Sequence, residues 1–277
     1  MENQVVIVTG ASAGIGKATA EYLMSKGFHV YGTSRKAVGN IEDNIGYDLQ
    51  SGGFIRMIPL DVTCEDSVKT AVNNVIAKEG RVDVLVSNAG TGIAGSIEDV
   101  ALSEANYQFE INFFGTLRVI KAILPYMREQ GYGKIIAISS VAGFISIPYQ
   151  AHYSASKFAM EGLIEALRYE VAPFGIKACL IEPGDTKTDF TKSRIVAKGA
   201  NEGSAYHTRF TKSLARMEKD EQSGASPVMV AEAIYKMIKK KNPPVRSVVG
   251  FQYKLVLFLK RILPTQILEK VVGSLYN

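Results

Sequence analysis

The chain has 277 residues, 47% of them hydrophobic and 21% charged, a globular balance that excludes a disordered, collagen-like or linker-dominated protein. The net charge of +5 invites a nucleic-acid reading, but residues 1–235 hold 23 basic against 26 acidic residues and residues 236–277 hold nine against one, so the excess is a property of the C-terminal segment and no nucleic-acid partner is expected. Two cysteines, Cys64 and Cys179, and three scattered histidines, His29, His152 and His207, offer neither a disulfide framework nor metal-ligand spacing, so no metal site is expected.

Along the chain, short apolar β-branched runs alternate with stretches of helical period. The strands expected are Val5–Val8, His29–Thr33, Arg56–Leu60, Val82–Ser87, Lys134–Ile138, Lys177–Ile181 and Ser247–Val249. Between them lie helices such as the one marked by Val68, Val72, Val75 and Ile76 at i, i+4, i+7 and i+8. Seven strands separated by helices predict an α/β fold: a doubly wound parallel sheet with helices on both faces, whose ligands bind beyond the carboxyl ends of the strands. No linker or repeat divides the chain, so residues 1–277 are expected to form a single domain. Two stretches interrupt the alternation. Residues 184–226 are polar and should overhang the ligand end as a substrate lid. Residues 250–277 form an apolar and basic extension, with a helical stripe of Ile267, Leu268, Val271, Val272 and Leu275. Met1-Glu-Asn-Gln has no basic or long apolar region, and no apolar run approaches the roughly 18 residues of a membrane span, so a soluble cytoplasmic protein is expected.

The first strand runs into Thr9-Gly10-Ala-Ser12-Ala-Gly14-Ile15-Gly16-Lys17, followed at once by a helix. Glycines permit a tight turn and close backbone approach, and a helix N-terminus offers free N–H groups to a pyrophosphate. The spacing, G-x-x-x-G-x-G, differs from the G-x-G-x-x-G dinucleotide fingerprint, and a plain strand-to-helix bend is the competing reading. Thr9-Gly10-x-x-x-Gly14-x-Gly16, Asn88-Ala89-Gly90, Asn112, Ser140, Tyr153-x-x-x-Lys157 and Pro183-Gly184, in that order, resemble the short-chain dehydrogenase/reductase family. The resemblance implies a single-domain Rossmann fold using a nicotinamide cofactor, with Gly10, Ser12, Gly14, Ile15 and Gly16 in the phosphate-binding turn.

The second strand ends in Ser34-Arg35-Lys36, with no acid placed to accept hydrogen bonds from ribose hydroxyls. An arginine fork suits a 2′-phosphate that a carboxylate would repel, so NADP(H) is favoured over NAD(H); the alternative is a solvated basic turn. Tyr153 and Lys157 fall on one helix face, one turn apart. An ammonium beside a phenol stabilises the phenolate, which would lower the Tyr153 pKa from its ordinary value near 10 and make it a proton donor or acceptor at a carbonyl or alcohol oxygen. The Ser140 hydroxyl, at the end of the fifth strand, would polarise that carbonyl, whereas Ser139 alternates to the other side. By resemblance, Lys157 also holds the cofactor ribose, Asn112 joins a water-linked proton relay with Lys157, and Asp61 with Val62 contacts the adenine. Asn88, Ala89 and Gly90 shape the cofactor pocket, and Pro183, Gly184 and Thr188 hold the nicotinamide carboxamide. His152 is expected on the pocket wall or surface, and His207 in the lid within reach of substrate.

The lid mixes Phe190, Ile195, Val196, Tyr206 and Phe210 with basic residues, and Phe144, Ile145, Ile147, Pro148 and Tyr149 add an apolar wall. The expected substrate is therefore a bulky hydrophobic ketone or secondary alcohol, steroid-like or otherwise lipophilic; the extension and the Tyr31–Arg35 turn resemble the hydroxysteroid- and retinol-dehydrogenase-like branch. Two other readings compete: a catalytically silent NADP-binding sensor or scaffold, and a dehydrogenase held peripherally at a membrane by residues 250–277, a segment that would equally suit a subunit contact or a helix with a solvated basic edge. The family resemblance implies a homodimer or homotetramer.

Overall fold

The computed structural model describes residues 3–37 and 45–276, apart from the side chains of Ile45, Leu268, Glu269, Val271, Val272, Leu275 and Tyr276. Four members of the expected C-terminal stripe, Leu268, Val271, Val272 and Leu275, thus lie outside the described side chains, as Met1 and Glu2 lie outside the described residues. The strands are β1 (Val5–Val8), β2 (His29–Ser34), β3 (Ile45–Asp48), β4 (Gly53–Pro59), β5 (Val84–Ser87), β6 (Ile93–Ala94), β7 (Gly133–Ile138), β8 (Ile176–Pro183), β9 (Ile195–Val196) and β10 (Arg246–Val249). The helices are α1 (Gly14–Met24), α2 (Glu65–Glu79), α3 (Leu102–Phe109), α4 (Thr116–Gln130), α5 (Ala151–Val171), α6 (Phe190–Ser193), α7 (His207–Gln222), α8 (Pro227–Lys239), α9 (Phe251–Ile262) and α10 (Thr265–Tyr276).

Local chemistry explains the boundaries. Helix α2 opens with Glu65 and Asp66 against the positive end of its dipole, carries Lys78 in its last turn, and stops at Gly80 in the left-handed region (φ 70°). Helix α8 has Pro227 in its first turn, and the Ser226 hydroxyl accepts from the Val228 N–H at 3.3 Å.

The strands β10-β8-β7-β5-β1-β2-β4-β3 form one sheet in that spatial order. Seven are parallel, as expected of βαβ crossovers, and β3 is added antiparallel along the edge of β4. That eighth strand is absent from the sequence reading: it is four residues long, joined to β4 by a turn in which Asp48 Oδ1 accepts from the Gln50 N–H at 2.9 Å, and Tyr47 on it is exposed. An edge strand with one neighbour lacks the continuous apolar run that marks the inner strands.

Alternation across the sheet builds two cores. Val5, Ile7, Leu85 and Ile135 face α2, α4 and α5, while Val6, Val8, Val84 and Ile136 face α1 and α8. Strand order reverses between β1 and β5, which opens a crevice at their carboxyl ends. Over it sits the segment expected as a lid, folded into α6, β9 and α7; β9 pairs with β6, and Phe210 of α7 joins a small separate core with Ile93, Val100 and Ala197. Among the described residues no helix is long and apolar enough to cross a membrane.

Candidate active site

The crevice is a cavity of about 600 Å³, and among the residues expected at the site all but Gly16 and Asn112 line it. At one end, the backbone turns sharply through Gly10 and Gly14, both in the left-handed region, into α1, whose N-cap Ala13 provides no side-chain acceptor. The first N–H groups of α1 are thus left for a ligand. Gly16 lies behind the turn rather than on the cavity wall: a Cβ there would stand 2.2 Å from the Gly10 carbonyl oxygen and 2.5 Å from Asn88 Nδ2. Asn88 fixes that turn to the end of β5, its Nδ2 donating to the carbonyls of Thr9 at 2.9 Å and Gly10 at 3.2 Å. In return the Thr9 hydroxyl accepts from the N–H groups of Asn88 at 2.8 Å and Ala89 at 3.0 Å. Asn88, Ala89 and Gly90 therefore shape the pocket by holding one loop against another. Ser34 and the exposed Arg35 flank the same end, with Asp61 and Val62 opposite; Asp61 Oδ1 accepts from the N–H and hydroxyl of Thr63 at 2.9 and 2.8 Å.

At the other end Tyr153, near the start of α5, hydrogen-bonds the Ser140 side chain, and Ser140 Oγ also accepts from the Ala142 N–H at 3.1 Å. Ser139 also lines the cavity, but its hydroxyl is buried against Gly143. The Tyr153 phenol is pushed up to about 12, chiefly by burial, against the opposing pull of the Ser140 hydrogen bond. The expected lowering by Lys157 is absent: Lys157 Nζ stands 5.6 Å from the centre of the Tyr153 ring and donates to the Ile138 carbonyl at 2.8 Å. Burial pulls Lys157 itself down to about 8, with Glu161 holding it up. A phenol so placed is a proton donor at neutral pH, suited to an oxygen gaining negative charge.

Asn112 does not line the cavity. It lies in a widened π-helical turn, Glu110–Gly115, between α3 and α4, and its side chain is fully engaged. Its Oδ1 accepts from the Thr91 N–H at 2.8 Å, and its Nδ2 donates to the Thr91 carbonyl at 3.0 Å and to Ser156 Oγ at 3.1 Å. The side chain thus clamps the loop after β5 to α5.

Phe190 and Ile195, expected in the lid, line the cavity, whereas Asp185, Met217, Asp220 and Glu221 were missed by the sequence reading. Phe190 of α6 closes over the phenol, ring centres 6.0 Å apart, and is backed by the Arg194 guanidinium, which pairs with Glu221 of α7. Asp185, Asp220, Glu221 and Met217 complete the wall. Of the expected apolar wall, Ile147 lines the cavity, but Phe144 is buried in the fold and Tyr149 packs on Phe210. Neither His152 nor His207 lines it. The C-terminal extension is tied to the site. Tyr253 of α9 occupies the space over Gly184, where a Cβ would lie 1.8 Å from its ring, and its hydroxyl donates to Asp185 Oδ2 at 2.5 Å and accepts from the Asp185 N–H at 3.0 Å. No sequence signal links residue 253 to residue 184; Asp185 could have been found as the neighbour of Pro183-Gly184.

Known proteins are similar to this chain in sequence and fold. The pattern of the short chain dehydrogenase family matches residues 4–198. A 3-ketodihydrosphingosine reductase of Bacteroides thetaiotaomicron is 46% identical over 250 residues, covering 90% of this chain and 89% of the relative. A short-chain dehydrogenase from Streptomyces avermitilis superposes with a TM-score of 0.80 at 33% identity, covering 99% of this chain and 98% of the other. An alcohol dehydrogenase from the archaeon Thermococcus sibiricus, solved with 5-hydroxy-NADP, superposes with a TM-score of 0.69 at 25% identity, covering 90% and 96%.

Proposed function

Since this chain belongs to the short-chain dehydrogenase/reductase family, whose members are NAD(P)-dependent oxidoreductases acting on CH–OH and C=O groups, we propose that it reduces the keto group of a long-chain, lipophilic substrate with NADPH, acting as a single catalytic domain over residues 1–277. The observation that carries this reading is the hydrogen-bonded Ser140–Tyr153 pair with Lys157 below it, set in the same cavity as a glycine turn that accepts no Cβ at Gly16.

The cavity fits a dinucleotide. Gly10, Ser12, Gly14 and Ile15 with the first N–H groups of α1 would cradle the pyrophosphate, Ser34 and Arg35 would hold a 2′-phosphate, Asp61 and Val62 would flank the adenine, and Pro183, Gly184 and Thr188 would flank the nicotinamide. When bound, the cofactor supplies the hydride. Ser140 donates a hydrogen bond to the substrate carbonyl oxygen, and the protonated Tyr153 hands its proton to that oxygen as negative charge develops. Lys157 lies beneath, its ammonium held by the Ile138 carbonyl. Asn112 serves by keeping Thr91 and α5 in register.

Two features support the substrate class. Phe190, Ile147 and Met217 give the cavity an apolar wall near Tyr153, while Asp185, Asp220 and Glu221 place carboxylates in the same lining. The relative named for 3-ketodihydrosphingosine points to a long-chain ketone bearing an amine, which such a mixed wall suits. For a substrate carried in lipid, α9 offers a contact surface. It exposes Phe251, Leu255, Phe258 and Ile262 along one stripe and has three basic residues and no acidic one, as a peripheral membrane helix does. Exposed Phe114 and Tyr169 on the helical face around α4 and α5 support a homo-oligomer. The deciding experiment is NADPH oxidation by 3-ketodihydrosphingosine, compared with retinal, a 3-ketosteroid and a short aliphatic ketone. A strong preference for the long-chain amino ketone is the expected result, and equal rates across the panel would overturn the substrate class.

A further inference from the structure

Behind Ser140 and Lys157 lies a buried charged cluster that proton delivery by Tyr153 does not use. Glu182, the last residue of β8 before Pro183, is fully buried, and Glu161, one turn beyond Lys157 on α5, is nearly so. Arg246 of β10 faces both: its Nε donates to Glu161 Oε2 at 2.8 Å and stands 3.2 Å from Glu182 Oε1, and its Nη2 pairs with the half-exposed Glu165 at 2.5 Å. From α5 the cluster also meets Lys157, from α9 the charges of Lys260 and Arg261, and from the turn after β7 only the uncharged Ser139 and Gly143. Three carboxylates therefore share one closely bound guanidinium. Glu161 Oε1, both oxygens of Glu182 and the Ser139 hydroxyl are buried with no donor directed at them. The carboxyls of Glu161 and Glu182 lie within hydrogen-bond reach of each other.

Two adjacent carboxylates out of water cannot both stay ionised when one shared guanidinium is the close counter-charge; a proton held between them satisfies one otherwise orphaned oxygen and removes the repulsion. We propose that Glu161 and Glu182 hold one proton in common and act as positioning residues for Lys157, giving that proton up to alkaline solvent so that the Lys157 ammonium stays charged. Two directions of titration support the geometry. Burial, followed by the charge of Glu161, raises Glu182 well above the carboxylate range, and burial lowers Lys157 towards about 8, with Glu161 as the opposing charge. As pH rises, a second negative charge appears one helical turn from Lys157 in the range where burial would discharge it. The role for Lys157 rests on the reaction proposed above, whereas the shared proton does not.

The test uses the full chain and Glu182→Gln, which keeps the shape and can never ionise. A carboxyl whose folded pKa is raised contributes stability fully present below the ordinary carboxylate range and lost as pH rises through the raised value, so the Tm of the natural protein should fall away from that of Glu182→Gln between about pH 5 and pH 9. Melting curves offset by a constant amount across that range would overturn the shared proton. In NADPH-dependent reduction of 3-ketodihydrosphingosine, the alkaline limb of the variant's kcat should move down by about one pH unit relative to its own neutral plateau. An unmoved limb beside diverging melts would overturn the link to Lys157. Should that ketone not be reduced at all, the fault lies with the substrate assignment, and the alkaline limb of NADPH binding, read by fluorescence, replaces turnover with the same expected shift. If Glu182→Gln does not fold, Glu161→Gln removes the same shared proton, and its Tm should diverge from the natural protein in the same direction.

Discussion

In the proposed reaction, one atom of Tyr153 decides turnover. Its ring is packed between Phe190 and Lys157, so Tyr153→Phe keeps the packing and removes only the hydroxyl that Ser140 binds. NADPH oxidation should fall by about 10²–10⁴-fold, while NADPH affinity measured by fluorescence stays within a few-fold. At the far end of the cavity, Arg35→Asp replaces the fork proposed for a 2′-phosphate with a carboxylate that prefers ribose hydroxyls; the ratio of kcat/KM for NADPH over NADH should drop by at least about tenfold. Gly16→Ala tests the cradle differently, since its Cβ would meet the backbone at Gly10 and the amide of Asn88. Either the turn shifts or α1 does, and loss of NADPH binding or a lower Tm should follow. These residues were legible in the sequence because each sits in a short local pattern. Glu221 and Tyr253 were not, because their places in the site come from contacts between segments 30 to 68 residues apart.

Among the elements, α9 changes most between sequence and structure. Composition marked residues 250–277 as a peripheral basic extension, yet the inner side of α9 presses Tyr253 onto Gly184, and Lys260 donates to the Phe144 carbonyl while its ammonium stands 5.3 Å from the Phe158 ring centre. The segment at Gly184 and Asp185 is thereby braced from the C-terminus. Tyr253→Phe leaves the ring in place but removes a donor from the half-buried Asp185 carboxyl, which should cost about 1 kcal/mol in denaturant unfolding and raise the KM for NADPH. The widened turn at Glu110–Gly115 shows the same gap between pattern and structure: the helical period was visible, but the extra residue that turns Asn112 towards Thr91 and Ser156 has no signature in hydropathy.

For the whole molecule, charge and apolar surface are segregated. A mildly acidic body carries a basic C-terminal end, and α9 leaves Phe251, Leu255, Phe258 and Ile262 exposed beside the cavity that its other side braces. Combining Phe251→Ser with Phe258→Ser should reduce co-sedimentation with anionic vesicles by more than about tenfold, while NADPH-dependent reduction of a short, water-soluble ketone is retained. Equal co-sedimentation would remove α9 as the lipid-facing surface. The sequence by itself determined the seven strands of a parallel sheet and the glycine turn, because hydrophobic period and turn chemistry are short-range properties of a chain, and it singled out Ser140, Tyr153 and Lys157 through the resemblance of their motifs to the family. Tertiary structure alone decided the antiparallel edge strand β3, the engaged side chain of Asn112, the phenol raised rather than lowered, and the pairing of Glu161 with Glu182. Each of these depends on burial and on charges brought together from distant segments, and desolvation is a property of the packed molecule that no local run of residues encodes.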